Sequence, residues 1–155
     1  MKSSRAFAMR FASVLSLLVA ANFIAPVSAQ DAADVKAAYT KTETRIVMRD
    51  GAKLFTSIYT PKDAAQKYPI LLIRTPYSVS PYGPDDYKTT IGPSPLFQKE
   101  GYIFVYQDVR GRMMSEGDFK WMTPYKPKKT SPTDVDEATD TYDTIEWLVK
   151  NIPNN

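Results

Sequence analysis

The stretch Tyr68-Pro69-Ile70-Leu71-Leu72-Ile73-Arg74 decides how this chain folds. Four apolar residues stand in a row without polar alternation, and the run is too short for a helix of its own. Such a run fits a strand covered on both faces, as in a largely parallel sheet. A second run of this kind, Tyr102-Ile103-Phe104-Val105-Tyr106, follows Gly101 and leads into Gln107-Asp108. Parallel neighbours require a crossover. The Gly/Pro-rich residues 76–95 and a short helical approach over Pro95–Glu100 are expected to supply it.

Working outward, residues 42–48 and 52–60 are rich in Thr, Ile, Val, Phe and Tyr, with Asp50-Gly51 between them. Glycine accepts positive φ without a Cβ clash, so these residues predict an antiparallel hairpin, ended by Pro61. On the other side, Val135, Ala138, Tyr142, Ile145, Leu148, Val149 and Ile152 recur at three- and four-residue spacing. That period places them on one face of a helix starting near Asp134, with Thr133 and Asp136 as a capping-box variant and Pro153 as the stop. The acids Asp134, Asp136 and Glu137 then sit at the positive end of its dipole. The expected class is α/β: an antiparallel hairpin, then parallel core strands and a crossover helix.

The beginning of the chain reads as a leader. Lys2, Arg5 and Arg10 precede a mostly apolar, uncharged stretch over residues 11–24, and Val27 and Ala29 stand at the small-residue positions of a cut before Gln30. The apolar stretch is shorter than the ~20 residues that span a bilayer, which favours a cleavable signal peptide over a membrane anchor. The expected organisation is a signal peptide over 1–29, a polar, Ala-rich flexible segment over 30–41, and an α/β domain over 42–155. Export to the periplasm or the exterior follows, with no membrane association after cleavage.

Removing the leader changes the charge balance. The chain has 20 Lys and Arg against 17 Asp and Glu, and residues 1–29 hold three of the basic residues and no acidic one, leaving 17 of each. A neutral remainder argues against nucleic acid as a partner. The Lys126-Pro127-Lys128-Lys129 cluster sits among prolines and reads as a solvated loop in preference to a phosphate site. With no cysteine, the chain folds without disulfides; with neither cysteine nor histidine, it offers poor ligands to a transition metal. The acids at 134–143 lack the turn glycine and terminal glutamate of an EF-hand.

Five motifs stand in order: Met48-Arg49-Asp50-Gly51 with Leu54; Ile73-Arg74-Thr75-Pro76-Tyr77; Gly101-Tyr102 through Gln107-Asp108-Val109-Arg110-Gly111-Arg112; Ser115-Glu116-Gly117; and Tyr142-Asp143-Thr144-Ile145-Glu146-Trp147-Leu148. The series resembles the N-terminal part of the CocE/NonD family of serine hydrolases, the X-Pro dipeptidyl-peptidase (S15-like) family, over roughly residues 43–152. The resemblance implies an α/β-hydrolase fold that stops before the strand carrying the nucleophile. It also implies cleavage of small ester, amide or peptide substrates through an acyl-enzyme, with a Ser nucleophile, His base and Asp acid that are absent from these 155 residues, and no metal or organic cofactor. It leaves the oligomeric state open.

Within that resemblance Tyr77 takes the role of an oxyanion-hole donor, its hydroxyl acting beside a backbone N–H that follows the nucleophile. The competing reading of the residue alone is a tyrosine packed against Pro76 with its hydroxyl satisfied locally. Some members of the family carry an acidic residue two positions after this tyrosine, for a substrate α-amine. Here that position is Val79, so an amino-acyl substrate is not assumed.

Asp108, Arg110, Arg112 and Glu116 cluster beyond the end of a strand, where open α/β sheets place ligands. The preferred reading is structural, with Asp108 and Arg110 ordering a tight loop through an ion pair and backbone hydrogen bonds. Ser115 matches only the second half of Gly-x-Ser-x-Gly, because Met113 stands where the elbow needs glycine. It reads as a loop serine. The reading from another class is a non-catalytic exported binding module or pseudoenzyme.

Overall fold

The computed structural model describes residues 31–155, so the expected leader lies outside the described residues. In chain order the elements are α1 (Ala32–Ala38), β1 (Tyr39–Val47), β2 (Lys53–Pro61), β3 (Ile70–Thr75), α2 (Pro95–Glu100), β4 (Ile103–Asp108) and α3 (Glu137–Asn151). The strands form one sheet in the order β1-β2-β4-β3. The β1–β2 and β2–β4 pairs are antiparallel, while β3 and β4 are parallel, with Ile70 opposite Ile103 and Thr75 opposite Asp108. Among the described residues no helix is long and apolar enough to cross a membrane.

The hairpin forms as its residues predict. Gly51 takes φ +91° at the turn, and the Met48 N–H donates to the Ala52 carbonyl at 2.8 Å. β1 runs longer than expected, since it begins at Tyr39, and β2 keeps its expected length one residue further along. Within the segment expected to be flexible, residues 32–38 form α1 and β1 begins at Tyr39: Asp31 caps α1 through the N–H groups of Ala33 and Asp34 at 2.7 and 3.0 Å, and Val35 is fully buried. The cap satisfies the first-turn donors, and one apolar anchor holds the short helix to the sheet.

The sheet is covered on both faces. Val35, Tyr39, Phe55, Tyr59, Val79, Ile91, Phe104 and Tyr106 form one core, and Ile46, Met48, Leu54, Ile58, Tyr68, Ile103, Val105 and Leu148 form the other. Alternation along β4 sends Phe104 and Tyr106 to the first and Ile103 and Val105 to the second, so all six of its residues are buried. The run at 70–73, expected to be covered on both faces, is only half-buried, with Ile73 37% exposed. It is the edge strand and pairs with β4 alone.

The helix α3 forms where the period predicts, but its cap and its buried face differ. Asp136, not Thr133, is the N-cap: its carboxylate accepts from the Thr139 N–H at 2.8 Å, and the Thr139 hydroxyl accepts from the Asp136 N–H at 2.8 Å. The buried positions are Thr139, Asp140, Thr144 and Leu148, whereas Tyr142, Ile145 and Val149 are exposed. Polar partners rotate the helix. Buried Gln107 on β4 donates to the Thr56 and Thr144 hydroxyls, each at 3.0 Å, and its side-chain carbonyl accepts from Arg74 Nε at 2.7 Å.

Candidate active site

The parallel pairing brings the carboxyl ends of β3 and β4 side by side, so the loops after Thr75 and Asp108 leave the sheet together. Open α/β sheets place their ligands there. The first loop carries Tyr77. Its N–H donates to the Thr75 hydroxyl at 3.1 Å, and the preceding Pro76 carbonyl accepts from Arg112 Nε at 3.0 Å. Two residues on, the Val79 N–H donates to Asp108 Oδ1 at 3.1 Å. The Tyr77 backbone is thereby fixed on both sides.

The Tyr77 side chain points the other way. It is 72% exposed, its hydroxyl makes no hydrogen bond among the described residues, and its ring centroid lies 6.5 Å from that of Trp121. Trp121 meets Phe119 edge-on at 5.2 Å, and the Arg112 guanidinium lies 4.9 Å from the centre of the Phe119 ring. The same arginine thus supports the aromatic neighbours of Tyr77 and holds the carbonyl before it. An exposed hydroxyl on a backbone this constrained is a donor free to meet a developing negative charge.

Tyr82 and Ser78 complete the support. The Tyr82 hydroxyl donates to Asp108 Oδ2 at 3.0 Å, and the Ser78 hydroxyl lies 3.0 Å from the Tyr82 oxygen. The single Tyr82 proton is committed to the carboxylate, so Ser78 is the donor of that second bond. Ser78 Oγ accepts in turn from the Ser80 N–H at 3.1 Å, and Ser78 itself holds φ +93°, uncommon for a residue with a Cβ. Burial raises the Tyr82 hydroxyl above its ordinary pKa; against the lowering effect of the Ser78 bond, the adjacent Asp108 adds to the rise.

The four charged residues from the end of β4 onward, Asp108, Arg110, Arg112 and Glu116, go to separate tasks, which corrects one expectation. Arg110 does not pair with Asp108. It donates to Asp50 at the hairpin turn and to Asp140 on α3, with closest contacts of 2.7 Å to each. Glu116 accepts from the Lys53 N–H at 3.1 Å, extending the contact with β2. Ser115 is a loop serine whose hydroxyl is occupied: it donates to the Asp108 carbonyl at 2.7 Å and accepts from the Phe55 N–H at 2.8 Å. Gly111 makes this packing possible, with φ +66° and a position where a Cβ would stand 2.2 Å from the Phe119 nitrogen.

The acids and lysines near α3 also serve the loop that contains them. Asp136 accepts from the Lys126 N–H at 2.9 Å and pairs with the Lys129 ammonium, while Asp134 accepts from Thr130 and Ser131. Burial works to raise the Asp136 carboxyl, but its bonds to Lys126, Lys129 and Thr139 outweigh it and hold the group well below the ordinary carboxylate range. A cleft of about 370 Å³ lies here, lined by Asp50, Arg110, Lys120, Lys126, Asp136 and Asp140 among others. Its innermost charges already pair with one another, and Tyr77 does not line it.

Sequence reading singled out Tyr77 and the charged cluster but not the links between them. Neither Trp121 and Phe119 as neighbours of Tyr77 nor Tyr82 as a partner of Asp108 is marked by any of the motifs. The available signal is the position of Asp108 at the last residue of a buried strand, beside loops whose backbone N–H groups need acceptors.

The sheet and its helices form the front part of an α/β-hydrolase-like fold. The chain belongs to the X-Pro dipeptidyl-peptidase (S15) family, whose pattern it matches over residues 50–155. It is similar to the cocaine esterase of Rhodococcus sp. (strain MB1 Bresler), with 33% identity over 105 residues, covering 68% of this chain and 16% of that protein. Among solved structures it resembles an aminopeptidase from a marine sediment Thaumarchaeota archaeon, at TM-score 0.63 and 43% identity, over 76% of this chain and 20% of the other. It also resembles an α-amino acid ester hydrolase, at TM-score 0.62 and 37% identity, over 93% of this chain and 23% of the other. All three relatives are hydrolases, and the chain spans less than a quarter of the length of each.

Proposed function

We propose that these residues form the oxyanion-binding side of an exported serine hydrolase that cleaves small ester, amide or peptide substrates through an acyl-enzyme. The observation that carries the reading is Tyr77: an exposed hydroxyl, unpartnered among the described residues, on a loop held at both sides, at the carboxyl ends of the two parallel strands. The family's chemistry needs a donor there, because the carbonyl oxygen of the substrate becomes an anion as the acyl-enzyme forms. The 155 residues contain no histidine, so in this reading a histidine base comes from outside them, and the reading places the serine nucleophile there too. The names of the relatives span esters and peptides, and the reading commits to the acyl-transfer step common to both. Val79 supports leaving out an amino-acyl preference, since its side chain is buried in the core and turned away from the loop surface.

The test is covalent labelling of the protein expressed from its complete coding region with a fluorophosphonate probe. One labelled serine outside residues 1–155 is the expected result. Labelling at Ser115 would overturn the assignment of the nucleophile. No labelling, with ligand binding retained on the exposed Tyr77–Trp121 surface, would favour a non-catalytic binding module.

A further inference from the structure

The last residue of β4 is the most deeply placed carboxylate near Tyr77. Asp108 is 0% exposed, and no Lys or Arg nitrogen among the described residues lies within ion-pairing distance of it. A buried carboxylate is unfavourable unless its oxygens are well satisfied, and an uncharged side chain could cover the end of a strand at less cost. Here every side-chain acceptor bond goes to a loop donor: the Val79 N–H on Oδ1, and the Tyr82 hydroxyl and Met114 N–H on Oδ2 at 3.0 and 3.3 Å. Two of the three donors belong to the loop that carries Tyr77. The third belongs to the turn leading toward Trp121.

We infer that Asp108 is a positioning residue for the Tyr77 hydroxyl, acting through Val79 and Tyr82 and not through any contact with substrate. The inference rests on Tyr77 being the oxyanion donor. Thr75 and Arg112 fix the backbone on the sheet side of Tyr77; on the far side, where Ser78 holds its left-handed conformation, Asp108 takes the Val79 N–H, beside the Ser78–Tyr82 and Ser80–Ser78 bonds and the buried Val79 side chain. Releasing that side lets the Ser78 backbone relax and swings the Tyr77 ring relative to the strand ends. A misplacement of about 1 Å at a reacting group costs on the order of 100-fold in rate. Both carboxylate oxygens are acceptors, so Asp108→Asn keeps the size of the side chain but turns an NH2 toward one of its donors, and at least one hold is lost.

The test is a double-mutant cycle in the enzyme expressed from its complete coding region, with kcat, KM and melting temperature measured on the same preparations. Asp108→Asn is expected to lower kcat about 10- to 100-fold with little change in KM. In a Tyr77→Phe background the same substitution is expected to change kcat less than about threefold, because the group it positions has been removed. Tyr82→Phe, which removes one donor and leaves the carboxylate, is expected to show a smaller loss that also vanishes in the Tyr77→Phe background. It carries the test alone if Asp108→Asn fails to fold. Losses that multiply with that of Tyr77→Phe, or an unchanged kcat with a lowered melting temperature, would overturn the role of Asp108 while leaving Tyr77 in place. An unchanged kcat in Tyr77→Phe itself would overturn both.

Discussion

Arg110 grips Asp140 as a fork on a fork, with Nε 2.9 Å from Oδ2 and Nη2 2.7 Å from Oδ1. Its third nitrogen, Nη1, reaches Asp50 Oδ2 at 2.7 Å, and Nη2 also donates to Asp50 Oδ1 at 3.1 Å. One side chain after β4 therefore ties the hairpin turn to the first turn of α3. Bidentate geometry makes this the strongest kind of ion pair, and Asp140 is 1% exposed.

Removing Asp140 leaves the largely buried Arg110 guanidinium with Asp50 as its one remaining carboxylate and empties its Nε. Asp140→Ala is expected to destabilise the fold by about 3 kcal/mol, whereas a paired Arg110→Met and Asp140→Leu change should recover part of that loss. Chemical denaturation of the wild type and the two variants checks both statements. A single-mutant loss under about 1 kcal/mol would show that the pair is solvated in practice.

Acid should loosen the same region. Burial tends to raise Asp50, Asp136 and Asp143, but hydrogen bonds from Arg110, from Lys126 with Lys129, and from Arg49 respectively bring each below its ordinary value. A depressed carboxyl contributes stability that is fully present above the unfolded value of about 3.9 and is lost as pH falls through the folded value. Stability is therefore expected to be flat from these groups above about pH 5 and to drop below about pH 4. Melting temperatures between pH 3 and pH 7 check the direction, and Asp136→Asn should flatten part of the acid limb.

Gly111→Ala places a methyl group against the Phe119 backbone at a residue with positive φ. Backbone cannot yield as a flexible side chain does, so a loss of more than about 1 kcal/mol is expected. The Trp121 environment should change with it, because Phe119 and Trp121 share the displaced loop. Denaturant melts and tryptophan fluorescence on the same variant measure the two effects.

In the complete enzyme, Tyr77→Phe is expected to lower kcat by about 10²–10³ with KM little changed, as for loss of an oxyanion donor. The hydroxyl has no partner among the described residues and the ring is exposed, so the melting temperature should hold. A normal kcat would remove the residue from the reaction.

The 155-residue chain by itself is expected to show no turnover of activated short-chain esters. It contains no histidine, and the Ser115 hydroxyl is committed between Phe55 and Asp108. Stoichiometric fluorophosphonate labelling of this chain, with turnover, would refute that.

The sequence alone determined the elements that local chemistry controls. Asp50-Gly51 specified a hairpin turn because glycine alone accepts that backbone angle freely, and the unbroken apolar runs at 70–73 and 103–106 specified strands of a parallel pair. The helical period at 135–152 specified α3 but not its rotation. The apolar stripe of Tyr142, Ile145 and Val149 faces outward, since the buried face answers to Gln107 and Arg110, residues thirty or more positions away. Tyr77 was legible through its motif, yet its constraint was not: Asp108 sits 31 positions along the chain from it and reaches its loop only because β3 and β4 run in parallel and end level. Backbone angles and periodicity are properties of neighbouring residues and can be read from them. Which carboxylate meets which donor is set by strand order and register, and those exist only once the sheet has assembled.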